Sequence, residues 1–177
     1  MAKFWNFVFF QVGWFACILG AAYQHELWAV IGTLAYIAIY LWRSQTPKLE
    51  LSLLLKVLSF GILTDSLLMY SGFLDFKGTW PSPYLSPAWM WALWLLVAST
   101  LTSSLSWLNG KPALGIVLGA ISGPLSYEAG IRMGAANWGS GSHILGLGLI
   151  SVVWAVAMPL FFYWVGPITK PALVKNP

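Results

Sequence analysis

Charge is what this sequence has least of. Nine Lys or Arg and five Asp or Glu are all the chain carries in 177 residues, or 8%, against roughly 25% in an ordinary soluble domain. That scarcity excludes a water-soluble globule, and it excludes a disordered chain, which needs high charge and low hydrophobicity. Cysteine is nearly absent too. Cys17 stands alone, so there is no disulfide framework, no CxxC pair and no cysteine metal site, and its apolar surroundings read as those of a buried, inert thiol. The net charge of +4 comes from basic residues scattered singly; without a basic stripe no nucleic-acid partner is expected. Catalytic signatures are missing as well. There is no Walker loop, no dinucleotide fingerprint and no nucleophile elbow, and His25-Glu26 opens like HExxH but meets Ala29 where the second histidine belongs. Two histidines at separate segment ends make no metal site, and no cofactor is implied. Ser140 and His143 sit in a glycine-rich turn, Trp138-Gly139-Ser140-Gly141-Ser142-His143, that reads as the entry to a helix.

What is present is apolar. Hydrophobic residues make up 59% of the chain, with twelve tryptophans, and the mean hydropathy is +0.75. Lipid is the solvent such a composition suits. A hydrocarbon core about 30 Å thick needs roughly 20 apolar residues per helix. Six segments approach that length: 4–22, 27–42, 51–73, 87–108, 112–135 and 143–165. The expectation is an all-α, polytopic membrane bundle of about six transmembrane helices, one domain over 1–177, with the N-terminal stretch retained as the first span instead of being cleaved. Placing the basic residues on that alternation puts Lys3, Arg43, Lys48, Lys111, Lys170 and Lys175 at one face, with Lys56 near enough to snorkel there. Lys77 and Arg132 fall toward the other. By the positive-inside rule both termini are cytoplasmic. The long connection Leu74 to Ser86 belongs at the outer interface, with Trp80, Trp89 and Trp91 as an aromatic belt, or as a lid over a pocket.

Ionisable groups inside hydrocarbon are costly and are functional candidates by default. At 1.5 Å per residue, Asp65 lies about 20 Å along the third span and Glu128 about 24 Å along the fifth. Arg132 follows Glu128 by one turn, the spacing at which guanidinium and carboxylate pair. One guanidinium against two acids leaves an excess of negative charge. Tyr127, His143 and the His25-Glu26 pair border the same layer. Gly115, Gly119 and Gly123 recur at the spacing that lets helices press together, offering a face for a second copy or a membrane partner. Pro124 interrupts the ladder of that helix; Ser122, Ser126 and Tyr127 are the expected partners for the carbonyl it frees. Ser52, Lys56, Ser59, Ser66 and Tyr70 form a separate polar stripe on the third span, nearly opposite Asp65. Thr100, Thr102, Ser103, Ser104 and Ser106 make the end of the fourth span unusually hydroxylated, and such groups commonly bond back to the preceding turn. No internal repeat stands out.

The string Thr64-Asp65-Ser66-Leu67-Leu68, the segment Trp80-Pro81-Ser82-Pro83 through Trp94, and Gly123-Pro124-Leu125-Ser126-Tyr127-Glu128-Ala129-Gly130 resemble a family of small uncharacterised proteobacterial inner-membrane proteins. That resemblance covers nearly the whole chain. It implies a multi-pass protein of the bacterial inner membrane and transfers no activity. A looser similarity, to membrane lipid hydrolases with intramembrane aspartates, rests on Asp65 alone. Three functions compete. In the first, the outer cluster binds or processes a lipid or lipid-like amphiphile, with Asp65 or Glu128 as acid or base and Arg132, Tyr127, His143 and Trp80 binding; this requires a lipid-sized pocket between spans three, five and six. The second is a small proton-coupled permease using Asp65 and Glu128, which requires a water path. The third is a non-catalytic accessory subunit in which Glu128 and Arg132 form an ion pair holding a kinked helix. Whether the protein is an enzyme is left open, and membrane lipids are its expected partners.

Overall fold

The protein is described here by a computed structural model covering residues 2–169; Lys170 and Lys175, both used above for orientation, lie outside the described residues. Six helices follow one another: α1 Ala2–Ala22, α2 Glu26–Arg43, α3 Pro47–Tyr70, α4 Ala88–Leu101, α5 Pro112–Arg132 and α6 His143–Thr169. Proline starts two of them. At the first helical position its missing N–H is no loss and its fixed φ suits the helix, so α3 begins at Pro47, earlier than expected, and α5 begins at Pro112. Glycine ends the same two. Gly72 and Gly134 adopt φ of 72° and 86°. The N–H of Phe73 then reaches back to the Leu68 carbonyl at 3.1 Å and that of Ala135 to the Gly130 carbonyl at 3.0 Å, the reversal a left-handed residue allows.

Four helices, α1, α3, α5 and α6, are long and apolar enough to cross a bilayer by themselves. The exception that organises the rest is α4. It has 14 residues, of which eleven are buried, and it packs against α1, α2, α3 and α6. A helix sheathed by other helices does not meet lipid and has no need of bilayer length. The fourth segment was expected to run to residue 108, but the helix stops at Leu101. Its hydroxyls explain the stop. Ser99 Oγ donates to the Leu96 carbonyl at 2.7 Å and Thr100 Oγ1 to the Val97 carbonyl at 2.6 Å. The chain then folds back, with Leu105 N–H on the Thr100 carbonyl at 2.8 Å. Asn6 of α1 secures the turn: its Oδ1 accepts the Ser104 N–H at 3.2 Å and the Ser104 hydroxyl at 2.7 Å.

On the face opposite Lys3, Arg43, Lys48 and Lys111 lies an element the sequence did not announce. β1 Leu74–Phe76 pairs antiparallel with β2 Ala136–Trp138, Asp75 facing Asn137. The pair ties the ends of α3 and α5 together; we call this the strand face and its opposite the basic face. The expected aromatic belt is mostly interior. Trp89 is 1% exposed and donates its indole N–H to the Lys77 carbonyl at 2.8 Å, while Trp91 donates to Ser86 Oγ at 3.2 Å. A sunken indole needs an acceptor, and the loop 77–87 supplies one to each. Only Trp80 of the three presents its ring outward.

The Gly115/Gly119/Gly123 face is filled from within the chain. Its partner is α6: Met158 lies over Gly115 and Gly119, and Trp154 lies over Gly119 and Gly123, close enough that a methyl group at either of the last two would collide with it. This occupies the surface expected to meet a second copy. It also satisfies the backbone that Pro124 disrupts. Pro124 has no N–H for the Ala120 carbonyl four residues earlier, and Ser151 Oγ of α6 donates to that oxygen at 2.8 Å. The expected partners are engaged elsewhere, Ser122 on the Leu118 carbonyl and Ser126 with the Trp14 indole.

Candidate functional site

Asp65 is fully buried. Trp94 of α4 donates its indole N–H to Oδ2 at 2.7 Å, and Tyr127 of α5 donates its hydroxyl to Oδ1 at 2.5 Å. No Lys or Arg pairs with it among the described residues. Two donors therefore hold the carboxyl oxygens in a low-dielectric interior, where a hydrogen bond is stronger than in water. Glycine makes the room. A methyl group at Gly61, one turn before Asp65, would overlap the Trp94 ring, and one at Gly123, one turn before Tyr127, would overlap Trp154. The two indoles stack on each other, centroids 5.0 Å apart and planes at 11°. Four helices thus converge on one side chain, α3, α4 and α5 directly and α6 through the stack.

Glu128 belongs to a different group. Successive residues on a helix diverge by about 100°, so Tyr127 turns inward while Glu128 turns out. The Glu128 carboxylate receives Arg132 Nε at 2.7 Å and Trp138 Nε1 at 3.1 Å, and His143 Nε2 lies 3.4 Å from it. His143 also rests against the Trp138 ring, centroids 4.5 Å apart. The expected Glu128–Arg132 pair is there, and β2 and the start of α6 complete it. No hydrogen bond or ion pair joins Asp65 to Glu128 among the described residues. Of the six residues singled out in the sequence, the structure brings together Asp65 with Tyr127, and Glu128 with Arg132 and His143; no described contact ties Trp80 to either group. Arg132 is 78% exposed and His143 51%. Beside Tyr127, beneath the strand pair, lies a cavity of about 40 Å³ bounded by Ser126, Leu74 and Phe76. It has room for about one water, not for a lipid chain.

Sequence reasoning missed Trp94 and Trp154. It also missed a second buried polar cluster near the basic face. Glu50, in the first turn of α3, is buried and accepts the Tyr40 hydroxyl together with Thr102 Oγ1 at 3.3 Å. Asn6 Nδ2 donates to the Tyr36 hydroxyl at 2.8 Å and to the Ser99 carbonyl at 3.2 Å. Between Glu50 and Asp65 the buried side of α3 is Leu53, Leu54 and Val57, packed with Leu101 and Phe161. A signal for the Asp65 site was present in the chain. At the offset of 62 that separates Asp65 from Tyr127, Gly61 matches Gly123, Leu63 matches Leu125, Thr64 matches Ser126, Gly72 matches Gly134, Asp75 matches Asn137 and Phe76 matches Trp138. Two pairs at this offset meet in space: Asp75 faces Asn137 and Asp65 bonds Tyr127.

Compared with known proteins, residues 3–160 match the family model described as "Protein of unknown function (DUF2878)". The chain belongs to that family. It matches no curated protein and no solved structure. The matched stretch spans α1 through most of α6 and includes both the Asp65 and the Glu128 groups.

Proposed function

We propose that this is a multi-pass bacterial inner-membrane protein, all six helices crossing and both termini cytoplasmic, whose strand face takes the anionic headgroup of a lipid or lipid-like amphiphile. One observation carries the reading. Arg132 is committed to Glu128 through Nε and is otherwise exposed, so its terminal nitrogens face outward as a fork suited to phosphate or carboxylate, with half-exposed His143 beside it. Glu128 positions that fork. The roles of the two acids then divide: Asp65, enclosed by Trp94 and Tyr127, organises the bundle, and the cavity of about 40 Å³ beside Tyr127 is too small to bring a lipid to it for acid–base work. The test is native mass spectrometry of the detergent-purified protein with co-purifying and added acidic lipids. Arg132→Gln should lose one bound acidic lipid with its thermal midpoint unchanged, and Asp65→Asn should lose stability first. Retention of the full lipid complement by a well-folded Arg132→Gln protein would end this reading.

A second reading, a proton-coupled carrier, is favoured by Asp65, an ionisable side chain fully buried within the bundle, the kind of group on which proton relays rest. The apolar packing of Leu53, Leu54 and Val57 between Glu50 and Asp65 weighs against it. Proteoliposomes loaded with a pH dye separate the two: a proton flux that Asp65→Asn abolishes supports the carrier.

A further inference from the structure

The polar stripe on the other side of α3 has no part in either group above. Ser52, Lys56 and Ser59 line an open groove of about 690 Å³ between α3 and α6, together with Lys48, Leu55 and Trp164. Its volume is within the roughly 300–1,000 Å³ of small-molecule sites. Lys48, Ser52 and Lys56 follow one another at intervals of four residues, so they stack along one helix face. Lys56 starts about 14 Å into α3 at 1.5 Å per residue. Side chains on a helix lean toward its N-terminus, which carries the Lys56 ammonium back toward Ser52 and Lys48 and the basic face.

Among the described residues the charge there is uncompensated. No carboxylate lines the groove, and no ion pair involves Lys48 or Lys56 among the described residues. Glu50, the nearest acid along the helix, is turned to the opposite side and held by Tyr40 and Thr102. A lysine rooted that far inside a membrane helix needs an anion or water at its tip. Around the two lysines the walls on α3 and α6 are mostly apolar, Leu51, Leu55, Leu63, Leu160 and Trp164. An occupant with negative charge at one end and hydrocarbon along the rest complements both features.

We propose that this groove holds one anionic glycerophospholipid of the leaflet at the basic face. Its phosphate sits between Lys48, Ser52 and Lys56, and one acyl chain runs past Leu55 and Trp164 toward Ser59. The site is distinct from the strand face and stands whether or not Arg132 binds a lipid.

The experiment titrates detergent-purified full-length protein with phosphatidylglycerol or phosphatidylcholine and counts bound lipids by native mass spectrometry. Wild type should bind one phosphatidylglycerol that the lysine and Ser59 variants remove, beside any that Arg132→Gln removes, in preference to phosphatidylcholine. Lys56→Gln should weaken that preference about fivefold, the effect of one lysine near an anionic headgroup, and Lys56→Arg should retain it. Ser59→Trp keeps both lysines but fills the groove, and should expel the lipid. Circular dichroism and the thermal midpoint confirm that each variant is folded; Lys48→Gln gives a second charge probe at the exposed mouth should Lys56→Gln fail that check. The proposal is overturned by equal binding of the two lipids, by an unchanged preference in folded charge variants, or by full binding in Ser59→Trp, which would assign the effect to diffuse surface charge. If Arg132→Gln alone removes the preferred lipid, the groove reading fails and the strand-face reading stands; if only the lysine and Ser59 variants remove it, the reverse holds.

Discussion

At the scale of single residues, Asp65 concentrates the consequences. Its two oxygens are the acceptors for Trp94 and Tyr127, so removing the carboxylate strands two buried donors, each costing about 1–3 kcal/mol when unsatisfied. Asp65→Ala should therefore destabilise the protein by about 3 kcal/mol or more, measured as loss of folded fraction on denaturant titration in a fixed detergent. Asp65→Asn keeps one oxygen and turns an amide toward the other donor, so its cost should be about half as large. Equal damage by the two would mean that the volume of the side chain, not its acceptors, matters. The glycines beneath the indoles give a second test. Gly61→Ala and Gly123→Ala force a methyl group into Trp94 and Trp154, and overpacking of this kind costs about 1–3 kcal/mol. Gly32, which has nothing within 4 Å of its missing methyl group, is the control: alanine there should stabilise α2 by up to about 1 kcal/mol.

Among the elements, α5 and α6 show how far sequence reading reached. Gly115, Gly119, Gly123 and Pro124 announced a close helix contact and a broken ladder, because spacing and proline chemistry are local. Which helix fills the contact is not local. The partner of the freed Ala120 carbonyl is Ser151, 31 residues away, beyond any pattern read within one helix. The same limit explains Glu128 and Asp65. Their depths along two helices suggested one cluster, but azimuth decides: Tyr127, not Glu128, faces Asp65. Glu50 went unnoticed because the helix start was placed after it, although Thr46-Pro47 marks an earlier start. The proline and serine can be tested as a pair. Ser151→Ala should cost about 1–2 kcal/mol by leaving a buried carbonyl unpaired. With Pro124→Ala the helix regains its own N–H, so the same serine change should then cost almost nothing. A double-mutant cycle of thermal or denaturant stabilities reads the difference directly, and additive effects would show that Ser151 does not replace the lost helix bond.

For the whole molecule, the question is how six helices, only four of them long and apolar enough to cross unaided, are threaded through one bilayer. α4 is shielded by its neighbours, and α2 is 18 residues long with Glu26 and Arg43 at its two ends, placed where each charge reaches water. On the topology proposed above, both cross as parts of a bundle although neither would as an isolated segment, and the even number of crossings would bring the described basic residues Lys3, Arg43, Lys48 and Lys111 to one face. Cysteine labelling tests this on a silent background, since Cys17 is fully buried. An impermeant maleimide applied to spheroplasts should label Thr79→Cys and Ser142→Cys, which lie exposed on the strand face, and should reach Gln45→Cys and Lys111→Cys only after lysis. Because α2 ends before Gln45 and α5 begins after Lys111, those two positions bracket α3 and α4. If one is labelled from outside and the other is not, α3 and α4 do not both cross. If both are labelled and the strand-face positions are not, the bundle is inverted and the basic residues no longer mark the cytoplasmic side.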